Sequence, residues 1–168
     1  MEDLYPLAKA VVEEATVRDI TLATAESLTA GLISATIADV PGASNVLKGG
    51  VVSYALAVKH DVLGVQGIDE TTVVSADCAR QMAAGAQRLL RATLAISATG
   101  VAGPGGGTQR TPVGTVFIGC AYGDAVWAQE HHFTGDRQAV RQQTVRQALT
   151  IAWNCMKGGQ QHGGKENH

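Results

Sequence analysis

The sequence predicts an α/β protein, a three-layer α/β/α sandwich with a mixed central sheet, and three observations carry that prediction. Apolar residues recur at helical spacing before, between and after short β-branched runs. One of those runs, residues 92–98, is apolar throughout, as a strand covered by helices on both faces must be. Two further runs flank a Gly-Asp pair and read as a hairpin, which adds antiparallel strands to a sheet otherwise built by crossovers. At 168 residues, with 45% hydrophobic and 17% charged, the chain can bury a sizeable core in one domain, expected over residues 1–157.

Leu4, Leu7, Ala8, Val11, Val12 and Ala15 form the stripe of an amphipathic helix, with Asp3 as its expected cap. Residues 20–25 alternate as a strand and run without a break into Glu26-Ser27-Leu28-Thr29-Ala30-Gly31, a tight turn ahead of the helical positions Leu32, Ile33, Ile37 and Val40. Pro41-Gly42 closes that helix. Residues 49–54 read as a second strand and 55–63 as a short helix. Ser75 is placed to cap a long Ala-rich helix over about residues 76–91. The apolar strand follows, then a glycine-rich loop, then strands over 113–122 and 125–133 joined at Gly123-Asp124. A last helix is expected over about 136–156, and residues 158–168, without apolar period, are expected to be a disordered tail.

Thirteen Lys and Arg against fifteen Asp and Glu leave a net charge of −2, which gives no footprint for nucleic acid or an anionic membrane. The first residues carry acid where a secretory signal carries base, and no apolar run approaches the length of a membrane span, so a cytoplasmic protein is expected. Cys78, Cys120 and Cys155 are odd in number and lack C-x-x-C spacing, so buried reduced thiols are expected rather than a disulfide framework. His131-His132 has no partner at ligand spacing, and no metal is expected.

Ser27 sits where a strand turns into a helix, among backbone N–H groups without helical partners. It can be a nucleophile whose oxyanion the Leu28 and Thr29 amides stabilise, or Ser27 or Thr29 can simply cap the helix. None of the five histidines is well placed as its base. Lys59 is the alternative, since a lysine desolvated in a cleft can lose its proton near neutral pH; its other reading is a solvated helix lysine. Tyr54, at the strand end, can relay the proton or hold the lysine, or be an ordinary strand tyrosine. The loop from Thr99 through Gly100, Gly103, Gly105 and Gly106 lets backbone amides approach a ligand at the end of a strand, yet matches neither a P-loop nor a dinucleotide fingerprint. Arg137 and Arg141, four residues apart at the start of the last helix, offer either a phosphate seat or a solvated face.

Taken in order, Thr24-Ala25-Glu26-Ser27-Leu28-Thr29-Ala30-Gly31, Gly50-Val51-Val52-Ser53-Tyr54 with Lys59, residues 99–106, Pro112-Val113-Gly114-Thr115-Val116, and Gly135-Asp136-Arg137 with Arg141 resemble the CinA carboxy-terminal domain family. That family includes the PncC-type nicotinamide mononucleotide amidohydrolases. The resemblance implies a homodimeric deamidase of pyridine nucleotide salvage that converts nicotinamide mononucleotide to nicotinic acid mononucleotide and ammonia without metal or cofactor. Ser27 would be the nucleophile, Lys59 its base and Tyr54 their companion, with Thr29, Thr99, the loop glycines and Arg137 on the nucleotide and Arg141 on its phosphate. The family's usual cysteine, glycine, serine and asparagine are replaced here by Leu28, Ala30, Ala55 and Leu56. The other expectation, from a different class, is a catalytically inactive module that binds a nucleotide or a protein as a regulator.

Overall fold

The computed structural model describes residues 3–158. In chain order the elements are α1 (Tyr5–Arg18), β1 (Leu22–Glu26), α2 (Leu32–Ala38), a 3-10 turn (Ala43–Asn45), β2 (Leu47–Val52), α3 (Leu56–Leu63), α4 (Ala76–Leu90), β3 (Leu94–Gly100), β4 (Thr115–Tyr122), β5 (Ala125–His132) and α5 (Arg137–Met156). The five strands form one sheet in the order β2-β1-β3-β4-β5. β1 lies parallel to β2 and to β3, while β3, β4 and β5 pair antiparallel, so the sheet is mixed as expected. None of the helices among the described residues is long and apolar enough to cross a membrane.

Strand alternation sorts the core into two layers. Leu22, Leu94, Ile96, Val116 and Ile118 face one way and pack with α1, α2 and α5. Ala23, Ala25, Ala95 and Ala121 face the other way, against α3 and α4. The second face is small for a steric reason. α4 runs so close to the sheet that a Cβ on Gly119 would lie 2.3 Å from the Ala79 carbonyl oxygen, and the Ser97 hydroxyl donates to that same oxygen at 2.6 Å. An Ala-rich helix against an Ala/Gly/Ser sheet face is thus one packing solution, and α4 buries Ala79, Met82, Ala83, Gly85 and Ala86 in making it.

Helix ends follow the capping chemistry expected of Ser75, whose side chain accepts from the Cys78 amide, and Asp136 serves α5 in the same way through Ala139. Asp3 accepts from the Tyr5 amide at 3.0 Å, one position outside the Leu4 N-cap. β2 begins at Leu47 and not at Gly49, because a register shift between Leu22 and Ala23 lets Leu47 pair with Leu22 ahead of the glycines. β4 begins at Thr115, since Gly114 at φ 94° turns the chain and donates to the Val101 carbonyl. Gly158, at φ 82°, ends α5 by donating to the Cys155 carbonyl. The expected disordered tail lies outside the described residues from position 159 onward.

Candidate active site

Parallel pairing brings the carboxyl ends of β1, β2 and β3 to one edge of the sheet, where open α/β sheets hold their ligands. Ser27 follows β1, Ser53 and Tyr54 follow β2, and Thr99-Gly100 end β3. The Ser27 amide donates to the Ala98 carbonyl at 3.0 Å, which ties the serine to the central strand. After it the chain reverses through left-handed Ala30 (φ 49°) and Gly31 (φ 96°) before α2 starts. Ala30 carries a Cβ into a region that disfavours one, so the turn holds local strain at the site.

Neither Ser27 nor Thr29 caps α2, which removes the capping alternative. Gly31 is the N-cap and makes no side-chain bond. The free amides of the first turn are taken instead by Glu26, a residue without a role in the sequence reading. Its buried carboxylate accepts from the Ile33 amide (2.8 Å), the Ser34 amide and hydroxyl (3.0 Å each) and the Thr24 hydroxyl (3.0 Å). A carboxylate at a helix N-terminus is favoured electrostatically, and here it clamps both ends of the Ser27 turn. Gly50 makes room, since a Cβ there would come within 2.4 Å of both the Thr24 and the Ser34 oxygens. Among the described residues, the Leu28 and Thr29 amides have no acceptor and remain available to an oxyanion.

Lys59, in the first turns of α3, is 1% exposed and is not a solvated helix lysine. Its Nζ lies 2.6 Å from the Ser53 carbonyl, 3.1 Å from the Tyr54 carbonyl and 3.1 Å from Ser27 Oγ. All three partners are neutral. Burial holds its amine below the usual lysine range, opposed in smaller part by Cys78 and Glu70.

A cavity of about 380 Å³ opens over this pair. Ser27, Leu28 and Lys59 line it together with Gly100, Gly103, Gly105 and Gly106 of the 99–106 loop and Arg137. Apolar Ala55 and Leu56 also line it, as do Glu70, Val73 and Val74, three positions the sequence reading did not single out. Thr99 lines the cavity, but its hydroxyl is already engaged, donating at 2.8 Å to the Val73 carbonyl and so tying the 64–75 loop to β3.

The remaining candidates land in other places than expected. Tyr54 meets Lys59 through its carbonyl, whereas its exposed phenol accepts from Arg137 Nη2 at 2.8 Å. Arg137 Nη1 donates to the Gly103 carbonyl at 2.8 Å, so this arginine spans the mouth from the glycine loop to Tyr54. Arg141, expected beside it, is instead directed behind the Ser27 turn, with Nε on the Leu28 carbonyl (2.8 Å) and Nη2 on the Thr29 carbonyl (3.1 Å). One turn of helix separates the two, enough for one to face the cavity and the other its support. Thr29 is fully buried, outside the cavity lining, with its hydroxyl unpartnered among the described residues. Of the histidines, His60 pairs with Asp61, His132 with Glu130, and His131 stacks on Phe133, all away from Ser27. Cys120 and Cys155, distant in sequence, meet with sulfurs 3.7 Å apart as free thiols.

The Lys59 shift fixes the sign of a pH effect. Because the folded protein binds this proton more weakly than the unfolded chain, Lys59 contributes stability above 10.5 that is lost as pH falls through its depressed folded value. Lys59→Met should therefore remove a rise of stability with pH inside that window. Cys78, pushed up to about 11 by burial, contributes the opposite slope from 9.0 to about 11, and the wild-type minus variant difference largely cancels it. Denaturant unfolding at several pH values reads that difference; parallel curves for the two proteins would mean that Lys59 titrates normally.

Comparison with known proteins identifies the frame on which this site is built. A family model described as the CinA C-terminal domain matches residues 4–156. A CinA-like protein from Thermotoga maritima is 38% identical over 164 residues, covering 94% of this chain and 40% of that protein. A putative competence-damage inducible protein from Lactiplantibacillus plantarum is 43% identical over 150 residues, 86% of this chain and 35% of its own length. The chain thus spans well under half the length of these curated relatives. Among solved structures, a CinA superfamily protein from Klebsiella pneumoniae superposes with a TM-score of 0.88 at 32% identity, covering 94% of this chain and 99% of the other. The competence/damage inducible protein CihA from Agrobacterium tumefaciens gives 0.86 at 38% identity, over 92% and 97%. With its fold and almost its whole described length matched in this way, the chain belongs to the CinA C-terminal domain family.

Proposed function

We propose that the chain is an amidohydrolase acting on nicotinamide mononucleotide, with Ser27 as nucleophile and Lys59 as its base. The observation that carries this reading is the set of partners around Lys59 Nζ, two carbonyls and the Ser27 hydroxyl. A neutral amine has two N–H donors and one lone pair. The carbonyls of Ser53 and Tyr54 take the donors, and the lone pair is left for the Ser27 proton. Ser27 Oγ then bonds to the carboxamide carbon while its proton passes to Lys59. The free Leu28 and Thr29 amides stabilise the oxyanion. Lys59 returns the proton to the departing nitrogen, ammonia leaves, and water hydrolyses the ester with Lys59 again as base. The product is nicotinic acid mononucleotide.

The nucleotide phosphate is assigned to Arg137 and the loop glycines, since Arg137 is the guanidinium at the cavity. Arg141 is a positioning residue, because its hydrogen bonds hold the carbonyls of the oxyanion turn. In this reading Tyr54 contributes its carbonyl to Lys59 and its phenol to Arg137.

Ser27→Ala should reduce ammonia release from nicotinamide mononucleotide by roughly three orders of magnitude or more with the fold unchanged by circular dichroism. Near-normal turnover in that variant would rule out the covalent route, and wild-type protein that binds the nucleotide without releasing ammonia would favour the regulatory binding module. The two arginines separate in a second assay. Arg137→Ala should weaken the mononucleotide about tenfold or more while leaving the phosphate-free riboside nearly unaffected, because only the former loses a charge-assisted bond. Arg141→Ala should lower turnover of both alike. The reverse pattern would return the phosphate to Arg141.

A further inference from the structure

The cavity has a charge pattern that the deamidase reading leaves unused. Its lining holds one guanidinium, Arg137, and a single carboxylate, Glu70. Glu70 interacts electrostatically with Lys59, while Arg137 reaches from the Gly103 carbonyl to the Tyr54 phenol. No side chain among the described residues forms an ion pair with it. Its backbone is held firmly. The Thr72 amide donates to the Asp69 carbonyl at 3.0 Å, closing a turn with Glu70 at its first central position. The Asp69 carboxylate accepts from the Thr71 amide (2.8 Å) and hydroxyl (2.6 Å), which holds its own ionisation below the usual range, and the Asp69 amide donates to the Thr72 hydroxyl (2.9 Å). Just beyond, the Val73 carbonyl is tied to Thr99. The turn thus presents an unpaired carboxylate to the cavity from a braced loop.

We infer that Glu70 is a specificity-determining residue that selects a substrate whose ring carries a positive charge, an N-alkylated pyridinium carboxamide, over an uncharged ring of the same shape. An anion seat at Arg137 and a cation seat at Glu70 complement a zwitterion with phosphate at one end and pyridinium at the other. The inference rests on the deamidase reading and deepens it. Glu70 is exposed, so its charge reaches a bound ring through solvent, and its effect is moderate and salt-sensitive. Glu70 also supports Lys59 only weakly, being one of two minor opponents of its desolvation, and removing its charge leaves the base neutral.

The test uses the Ser27→Ala protein, in which turnover is arrested, with Glu70 intact or replaced in the same background by Glu70→Gln or Glu70→Asp. Calorimetry measures binding of nicotinamide mononucleotide and of its dihydro form, whose ring is neutral. Glu70→Gln should weaken the cationic form about tenfold and the neutral form hardly at all, and the difference should shrink as salt is raised. Glu70→Asp, which keeps the charge, should restore most of the preference. If Glu70→Gln affects both forms equally, or neither, while wild-type protein still releases ammonia from the mononucleotide, the role of Glu70 is overturned and the deamidase reading stands. If neither form binds and wild-type protein releases no ammonia, both fall together.

Discussion

The site depends on one arrangement, an amine buried among neutral oxygens. Among the described residues Lys59 Nζ has no carboxylate within hydrogen-bond distance, and desolvation outweighs the opposing influence of Cys78 and Glu70. A buried ammonium hydrogen-bonded only to neutral oxygens is disfavoured, and the molecule can relieve that cost by releasing the proton. The neighbouring groups keep this condition intact. Cys78, near Lys59 on α4, is pushed up to about 11 by burial and stays a neutral thiol at physiological pH, so it supplies no anion that would hold the lysine charged.

Much of the surrounding structure serves to keep Ser27 within reach of that amine. β3 holds the serine amide, Glu26 fastens the far end of the turn to α2, and Arg141 reaches from α5 to fix the two carbonyls between them. The turn is strained at Ala30, and three separate elements over-determine it. Its carbonyls are consumed by Arg141 while the Leu28 and Thr29 amides remain open, a polarity suited to a developing negative charge. The large residues on the α1/α5 face of the sheet and the small ones on the α4 face let α4 approach closely, which places Cys78 under the site.

The elements were legible because each carries its own local signal. The stripe from Leu4 to Ala15, the alternation after Ile20, the Ser75 cap and the Gly123-Asp124 hairpin all act within a few residues, and the structure follows them closely. Ser27 was legible from its position after a strand. Tertiary contacts were not. The i, i+4 spacing of Arg137 and Arg141 suggested a shared target, but their partners come from the Gly103 loop and the Ser27 turn, which no local pattern links to α5. Tyr54 carried a visible phenol, whereas the group that meets Lys59 is its carbonyl. Glu26 reads as an ordinary acidic residue until α2 folds back over it, and Glu70 becomes notable only when the 64–75 loop closes on β3. A signal for Glu26 did exist, namely an acid that directly follows a strand run free of charged residues.

The ionisation of Lys59 can be read directly by heteronuclear NMR of side-chain labelled lysines, assigned by comparison with Lys59→Met, across a pH titration. The Lys59 resonance should titrate below the ordinary lysine value of 10.5, with the Ser27→Ala protein showing the same depression, since burial and not the serine causes it. A Lys59 that titrates at the ordinary lysine value of 10.5 would contradict the account, because a permanently charged ammonium cannot take the proton of Ser27.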